Sequence, residues 1–519
     1  MPYVVTQSCC ADASCVVACP VNCIHPAPGE PGFGSAEMVY VDPASCVDCG
    51  ACVTACPVDA IKPHTALTER ELPFIALNAS YFEGQPHLDR SILAPVPPVR
   101  PLPGTPVRVA VVGAGPAGLY AADHLLRHAG VSVDVYDRLP TPHGLARFGV
   151  APDHRSTRKV NQLFETIEQQ TGFAYRLGVE VGVDITHDEL ATEYHAVLYS
   201  VGASTDRALG VPGEDLPGSE SATEVVGWYN GHPDHLDTYV DLGHERVVVI
   251  GNGNVALDVA RILTSDPDAL ADTEIDALAL ACLRGSRVRE VVVLGRRGPA
   301  EAAFTLPELV GLAGLDDIDV VVDTGGHPSV EDSPKTTLLA ELARRTPGEG
   351  RRRIVLRFQT APVRILGDQQ VTGVEVARTE LVTGADGRVS ARLTDEREVI
   401  EAGMVIRSVG YRGRPVRDLP FDEVSGTVPN AHGRVSPGVY VAGWIKRGPT
   451  GFIGTNKSCA EETVDALLDD LLDGKLRDPE TSPVVGSRWP RVLPWPLTRK
   501  TPETVVARAG SSTTSIAAS

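Results

Sequence analysis

Apolar positions come in two rhythms along this chain. Short runs of β-branched and aliphatic residues recur at 107–112, 131–136, 246–250 and 291–294, almost unbroken by polar side chains. Runs of that length predict strands buried on both faces of a parallel sheet. Between them the period changes. Segments 116–126, 257–263 and 459–472 place apolar residues three and four apart, the pattern of a helix with one buried face. Further strands are predicted at 173–183, 196–203, 354–358, 371–380, 407–411 and 438–444. Strands alternating with helices over this length predict an α/β fold with parallel sheets.

Two of the strands end in glycine turns. The first runs into Gly113-Ala114-Gly115-Pro116-Ala117-Gly118 and then a helix. Gly113 permits a sharp turn, Gly115 lets backbone approach a pyrophosphate, and Gly118 lets the helix pack on the strand; the helix N-terminus faces the negative charge. Asp137 closes the next strand, where a ribose hydroxyl needs a carboxylate. The logic returns at Gly251-Asn252-Gly253-Asn254-Val255-Ala256, with Ala256 as the small residue in the third position. Two such turns predict two Rossmann-like domains and two dinucleotides, a flavin and a nicotinamide. The strand after the second turn ends in Gly295-Arg296-Arg297 and not in an acid. Paired guanidiniums bind a 2′-phosphate through charge-assisted hydrogen bonds, which favours NADP over NAD. The arginines come about forty residues after Gly253, and stretch 264–288 reads as extra helix filling the gap.

Charge and length narrow the class. A net charge of −20 opposes nucleic acid or anionic membrane as a partner. No apolar run spans a bilayer, and MPYVVTQSCC lacks the basic start and apolar core of a signal peptide. A cytoplasmic enzyme without membrane insertion is expected.

Nine of the eleven cysteines precede residue 57. Clustered this way in a reducing compartment, they predict metal ligands rather than disulfides. Cys46, Cys49, Cys52 and Cys56-Pro57 spell C-x2-C-x2-C-x3-C-P. In that pattern three thiolates hold one iron–sulfur cube and the fourth reaches across to another cluster. Upstream lie Cys9, Cys10, Cys15, Cys19-Pro20 and Cys23. By reciprocity Cys19 completes a 4Fe-4S cluster with Cys46, Cys49 and Cys52, while Cys56 joins Cys15 and Cys9 (or Cys10) at a second cluster. No cysteine stands at position 12 or 13. Three thiolates suit a 3Fe-4S cluster, as in the seven-iron ferredoxins this segment resembles. A 4Fe-4S cluster with Cys10, Cys23 or solvent as fourth ligand is the alternative, and Cys23 also reads as a packing residue. Zinc knuckles pair two C-x2-C units and need no cysteine–proline ends, which disfavours zinc.

The expected organisation is a small α+β ferredoxin domain at 1–65, a proline-rich linker at 66–105, the FAD-binding domain at 106–202 and 407–475, the NADP-binding domain at 203–406, and a tail at 476–519. The linker should be extended and semi-rigid, and the tail, rich in Pro, Ser and Thr, partly disordered. Electron transfer falls steeply with distance, so the ferredoxin domain is expected to dock on the dinucleotide-binding domains.

VVGAGPAGLYAADHLL, PHGLARFGVAPDH, VIGNGNVALDVARIL, GRRGPAEAAFTLPEL and GWIKRGPTGFI resemble adrenodoxin reductase and the bacterial ferredoxin–NADP reductases of that kind, over residues 107 to about 470. With the ferredoxin unit in front, the chain is similar to their fused actinobacterial form. The resemblance implies FAD contacts at Ala117, Asp137 (usually Glu in the family), Leu145, Val181, Trp444, Gly451, Phe452 and Ile453. It implies NADP contacts at Arg207, Asn252, Gly253, Asn254, Val255, Arg296, Arg297, Glu308 and Gly451, with His154 near flavin and nicotinamide in a tuning or orienting role. The family often carries an acid three positions after the NADP-binding Glu; Gly311 stands there here. The activity implied is NADPH–ferredoxin oxidoreduction, a hydride from NADPH to FAD and then single electrons to the clusters and to ferredoxin or another small acceptor. One rival reading is an electron-input subunit like the small subunit of glutamate synthase; another is a redox sensor. A disulfide reductase needs a cysteine pair by the flavin, and Cys282 and Cys459 are isolated.

Overall fold

The computed structural model describes residues 2–83, 101–102, 106–324, 333–384, 387 and 389–479. Each predicted nucleotide domain is a six-stranded sheet. In the first, the strand order is Arg434–Ser436, Val439–Val441, Ala196–Tyr199, Val107–Val112, Val131–Asp137, Phe173–Leu177. All pairings are parallel except the first. In the second the order is Ser219–Ser221, Met404–Arg407, Arg246–Ile250, Glu290–Leu294, Arg352–Arg357, Ile318–Asp323, parallel throughout.

Val109, Val111, Val247 and Val249 are fully buried, as continuous apolar strands covered on both faces must be. In each sheet the strand carrying the glycine turn has its successor on one side and a late-returning strand on the other. That reversal opens a crevice at the carboxyl ends of the strands, where sheets of this kind take their ligands. The chain returns to the first sheet at 434–441, so that domain is built from two separated segments. Short helices Pro267–Leu270 and Ala277–Arg284 occupy the predicted insertion. An antiparallel meander, Thr360–Leu366, Gly373–Thr383 and Val389–Glu401, packs Ile365, Val374, Val376 and Ile400 on Val248 and Val292 of the second sheet.

The cysteine-rich unit pairs Tyr3–Val5 with Ile61–Pro63 and Ile24–His25 with Tyr40–Val41, and adds helices Ser14–Ala18 and Ala51–Ala55. It extends past residue 65. Helix Pro73–Glu83 buries Phe74 and Phe82 against the unit. Asn78 ties both strand pairs together, accepting from Val5 N at 3.2 Å and Val41 N at 3.0 Å and donating to Val5 O at 2.9 Å. A buried asparagine on the packed face hid this helix from the apolar pattern. Residues 84–100 and 103–105 of the predicted linker, and the tail from 480, lie outside the described residues.

Candidate functional site

At the first crevice, Gly113 has φ +107°, and a Cβ there would stand 2.5 Å from the Ser200 carbonyl oxygen. A Cβ on Gly118 would meet the Gly113 oxygen at 2.0 Å, so turn, helix and returning strand close up only around glycine. Above Gly115 nothing lies within 4 Å, and helix Pro116–Leu126 opens its free N–H groups into that space. The Asp137 carboxylate accepts from Ala114 N and Leu139 N, both at 2.8 Å, while burial raises its pKa. Asp137 therefore shapes the glycine turn itself.

Gly144, at φ +48°, brings helix Leu145–Phe148 over the turn, a Cβ there falling 3.0 Å from Gly115 Cα. Beside it His143, which reads from sequence as a plain polar loop residue, is buried and held by Glu168 at 2.6 Å. Val181 bridges to Ile185 at the rim of the sheet. From the other side, Gly443 sits against Ala117, Trp444 donates to Thr450 O at 3.2 Å, and Phe452 N donates to Thr455 Oγ1 at 2.9 Å beside Gly451, whose φ is +82°. Ile453 packs against the first-sheet core. Arg447 donates to Asn456 Oδ1 at 3.3 Å, but its buried Nε and Nη1 have no partner among the described residues. An open helix N-terminus near an unsatisfied guanidinium is chemistry that fits an anionic dinucleotide.

The second crevice repeats the first. A Cβ on Gly251 would meet the Ser408 oxygen at 2.0 Å, and the space over Gly253 is open. Asn252 fills the space beside Gly295; Asn254 accepts from Thr305 N at 2.9 Å, and Val255 packs on the core. Arg207 and Arg296 are exposed and Arg297 half-buried, and none has an ion pair among the described residues. Arg207 N donates to Gly410 O at 3.0 Å at the carboxyl end of the sheet.

His154 and Glu308 meet between the two domains, through residues the sequence did not single out. Arg261 donates to Asp153 Oδ2 at 2.6 Å, Asp258 Oδ1 at 2.6 Å and Glu308 Oε1 at 2.7 Å. His154 Nε2 lies 3.2 Å from Asp258 and 3.7 Å from Glu308. Burial and Arg261 both push the His154 pKa down, but the carboxylates of Asp258 and Glu308 outweigh them and carry it up to about 9. A proton bound more tightly in the folded state stabilises it fully below the ordinary value near 6.5. That contribution is lost as pH rises through about 9. The melting temperature should fall across that window, and a His154→Gln variant should show a flatter profile there.

The cysteines form two sets. Cys19, Cys46, Cys49 and Cys52 line one cavity with Cys23, while Cys9, Cys10, Cys15 and Cys56 line another. Hydrogen bonds from the Cys23 thiol and backbone lower Cys19 to about 5, favouring its thiolate; burial raises Cys9 to about 11. Soft sulfur donors converging on each cavity fit iron–sulfur groups. Cys49 and Val47 leave the first cavity at the surface.

The second cavity faces the domain of the first sheet. Cys10 O accepts from Gly454 N at 2.7 Å, and Lys457 donates to Ser14 Oγ at 2.8 Å. Contact with the nucleotide domain is equally direct. Glu37 accepts from Leu306 N at 2.8 Å, Val310 enters the core of the cysteine unit, and Gln7 donates to Glu308 Oε2 at 3.1 Å. A Cβ on Gly311 would overlap the Gln7 side chain at 2.2 Å, so glycine at that position makes room for it. The unit is docked across both domains, as expected from the sequence.

Residues 107–284 match the pyridine nucleotide-disulphide oxidoreductase family, and residues 39–62 the 4Fe-4S binding domain family. A probable ferredoxin/ferredoxin–NADP reductase of Mycobacterium tuberculosis is 52% identical over 95% of this chain and 89% of its own. The NADPH:adrenodoxin oxidoreductase of human mitochondria is 42% identical over 71% of this chain and 80% of its own. Mycobacterium tuberculosis FprA, solved in complex with NADPH, superposes with a TM-score of 0.70 at 46% identity, covering 72% of this chain and 87% of that one. The chain belongs to the ferredoxin–NADP reductase family of the adrenodoxin reductase kind, in the fused form that carries an iron–sulfur domain ahead of the reductase.

Proposed function

We propose that this protein is an NADPH–ferredoxin oxidoreductase that passes electrons from NADPH to ferredoxin or another small acceptor. One observation carries the reading. The loop that bears Cys9 and Cys10 is hydrogen-bonded to Gly454, one residue beyond the Gly451–Phe452–Ile453 stretch at the first crevice. Flavin cradle and cysteine cavity thus share a single backbone junction.

Gly113, Gly115, Ala117, Gly118, Asp137, Leu145, Val181, Trp444, Gly451, Phe452 and Ile453 would hold FAD, with Arg447 as an added anion partner. Cys19, Cys46, Cys49 and Cys52 would hold a 4Fe-4S cluster, and Cys9, Cys15 and Cys56 a second iron–sulfur group. When bound, a flavin takes an electron pair as hydride and releases it singly to iron–sulfur groups. The chain's own work is positioning. Asn252 to Val255 receive the pyrophosphate of NADPH at the helix N-terminus, Arg296 and Arg297 meet its 2′-phosphate, and Arg207 is a further contact to the nucleotide. Glu308 and protonated His154, fixed by Arg261, form a polar wall between the nucleotide domains and orient the nicotinamide end.

No helix of the described residues is long and apolar enough to cross a membrane. All eleven cysteines are free, Cys282 exposed and Cys459 buried apart from it, which supports a reducing cytoplasmic setting over disulfide chemistry. The test is a cuvette assay on purified protein with bound flavin, iron and sulfide quantified. NADPH should bleach the flavin band and drive reduction of ferricyanide and of an added ferredoxin. A protein that carries flavin yet ignores NADPH would refute the reading.

A further inference from the structure

The two halves of the cysteine unit repeat each other 37 residues apart. Cys9, Cys15, Cys19 and Pro20 fall on Cys46, Cys52, Cys56 and Pro57, and Ile24 falls on Ile61. One ligand slot differs: Asp12 stands where the second half has Cys49. The backbone repeats as closely as the sequence. Ala11 and Ala13 have φ of 55° and 60°, against 56° at Asp48 and 76° at Gly50, so Asp12 and Cys49 are each framed by two left-handed residues. Left-handed backbone is unfavourable for alanine, and the first half holds it twice without glycine. Beyond it, Cys19 N and Cys56 N donate to Val16 O and Val53 O, both at 3.2 Å. The two sulfurs accept from Cys23 N and Ala60 N, both at 3.3 Å.

Resting on the iron–sulfur reading above, we propose that the Asp12 carboxylate is the fourth protein ligand of the group held by Cys9, Cys15 and Cys56. The site then takes four irons, one of them bound through oxygen. Asp12 is 6% exposed and lines the same cavity as the three cysteines. Its Oδ1 accepts from Ser14 N at 3.0 Å; its Oδ2 accepts from Lys457 Nζ at 3.3 Å and Tyr120 Oη at 3.4 Å. A carboxylate has about four acceptor positions, so these donors fix it and leave one free for a metal. Cys10 and Cys23 do not stand in ligand slots. Their counterparts in the repeat are Val47 and Ala60; Cys10 borders the same cavity as Asp12 without occupying a slot of the repeat, and Cys23 lines the other cavity.

Oxygen is a harder donor than thiolate and grips an iron of a sulfide cluster less firmly. The iron on Asp12 is therefore the one that leaves. Oxidation by ferricyanide breaks the Asp12–iron bond: the four-iron core of charge +2 gives a three-iron, four-sulfide core of charge +1, a free Fe²⁺ and the one electron taken by ferricyanide. Fe²⁺ together with one electron from dithionite reverses the step.

The test tracks iron content and the EPR signal of the three-iron core in the reconstituted full chain. In the wild type, ferricyanide should create that signal and Fe²⁺ with dithionite should erase it. Asp12→Cys should resist ferricyanide, its fourth iron now on thiolate. Asp12→Ala should show the three-iron signal from the start and keep it when Fe²⁺ is added. Cys10→Ala, which removes a sulfur outside the ligand slots, should behave as wild type. Asp12→Cys and Asp12→Ala cycling like the wild type, a wild type that never takes a fourth iron, or loss of that iron in Cys10→Ala would each overturn the assignment. Absence of iron from every variant would overturn the iron–sulfur reading along with it.

Discussion

Replacing Arg296 and Arg297 together by alanine is expected to raise the KM for NADPH by about two orders of magnitude or more, while the KM for NADH hardly moves. A hydrogen bond to a charged group contributes about 1.5–3 kcal/mol net, and about 1.4 kcal/mol is tenfold in affinity. The two guanidiniums have no ion pair among the described residues. Removing them therefore breaks no ion pair among the described residues, and the fold should be retained. Steady-state kinetics with both nucleotides decides it: equal losses for NADPH and NADH would remove the 2′-phosphate from the account. Arg→Lys at both positions should recover part of the discrimination, since lysine keeps the charge but loses the planar fork.

Arg261→Ala should destabilise the protein by about 3–5 kcal/mol, the cost of leaving buried charges uncompensated. Asp153, Asp258 and Glu308 all converge on this one guanidinium, which is 5% exposed. Without it three carboxylates face one another across the domain interface, with His154 as the sole remaining cation of that network. His154 should then bind its proton more tightly, because Arg261 is one of the groups that lower it. Denaturant unfolding and an NMR titration of His154 measure the two effects. A loss of stability within experimental error would mean that solvent reaches the network. Glu308 should also lose the ion pair that fixes it, and, on the role proposed for it above, kcat with NADPH should fall with the stability.

Much of this was legible along the chain because the signals are local. A strand buried on both faces must be apolar throughout, a turn that packs helix on strand must be glycine, and thiolates of one cluster keep fixed short spacings. Gly113 and Gly118, Gly251 and Gly253, and the run Cys46 to Cys56 each carry their meaning within a dozen residues or so. The helix Pro73–Glu83 escaped because its packed face includes Asn78, a polar side chain satisfied by partners 73 and 37 residues away.

The sequence alone determined the two glycine cradles, and it marked the clustered cysteines and the pair Arg296–Arg297 as candidates for metal and phosphate. Only the tertiary structure decided what lies opposite them. Ser200 and Ser408 close the two crevices, Arg261 gathers three acids from two domains, and Gln7 reaches Glu308 across 301 positions into space that Gly311 leaves open. It also decided which cysteine set faces the reductase and which faces solvent, through the contact of Cys10 with Gly454 and the exposure of Cys49. The reason is physical. Backbone turns and metal spacings are set by neighbours in the chain, whereas contacts between domains are set by the complementarity of folded surfaces, which no window of sequence contains.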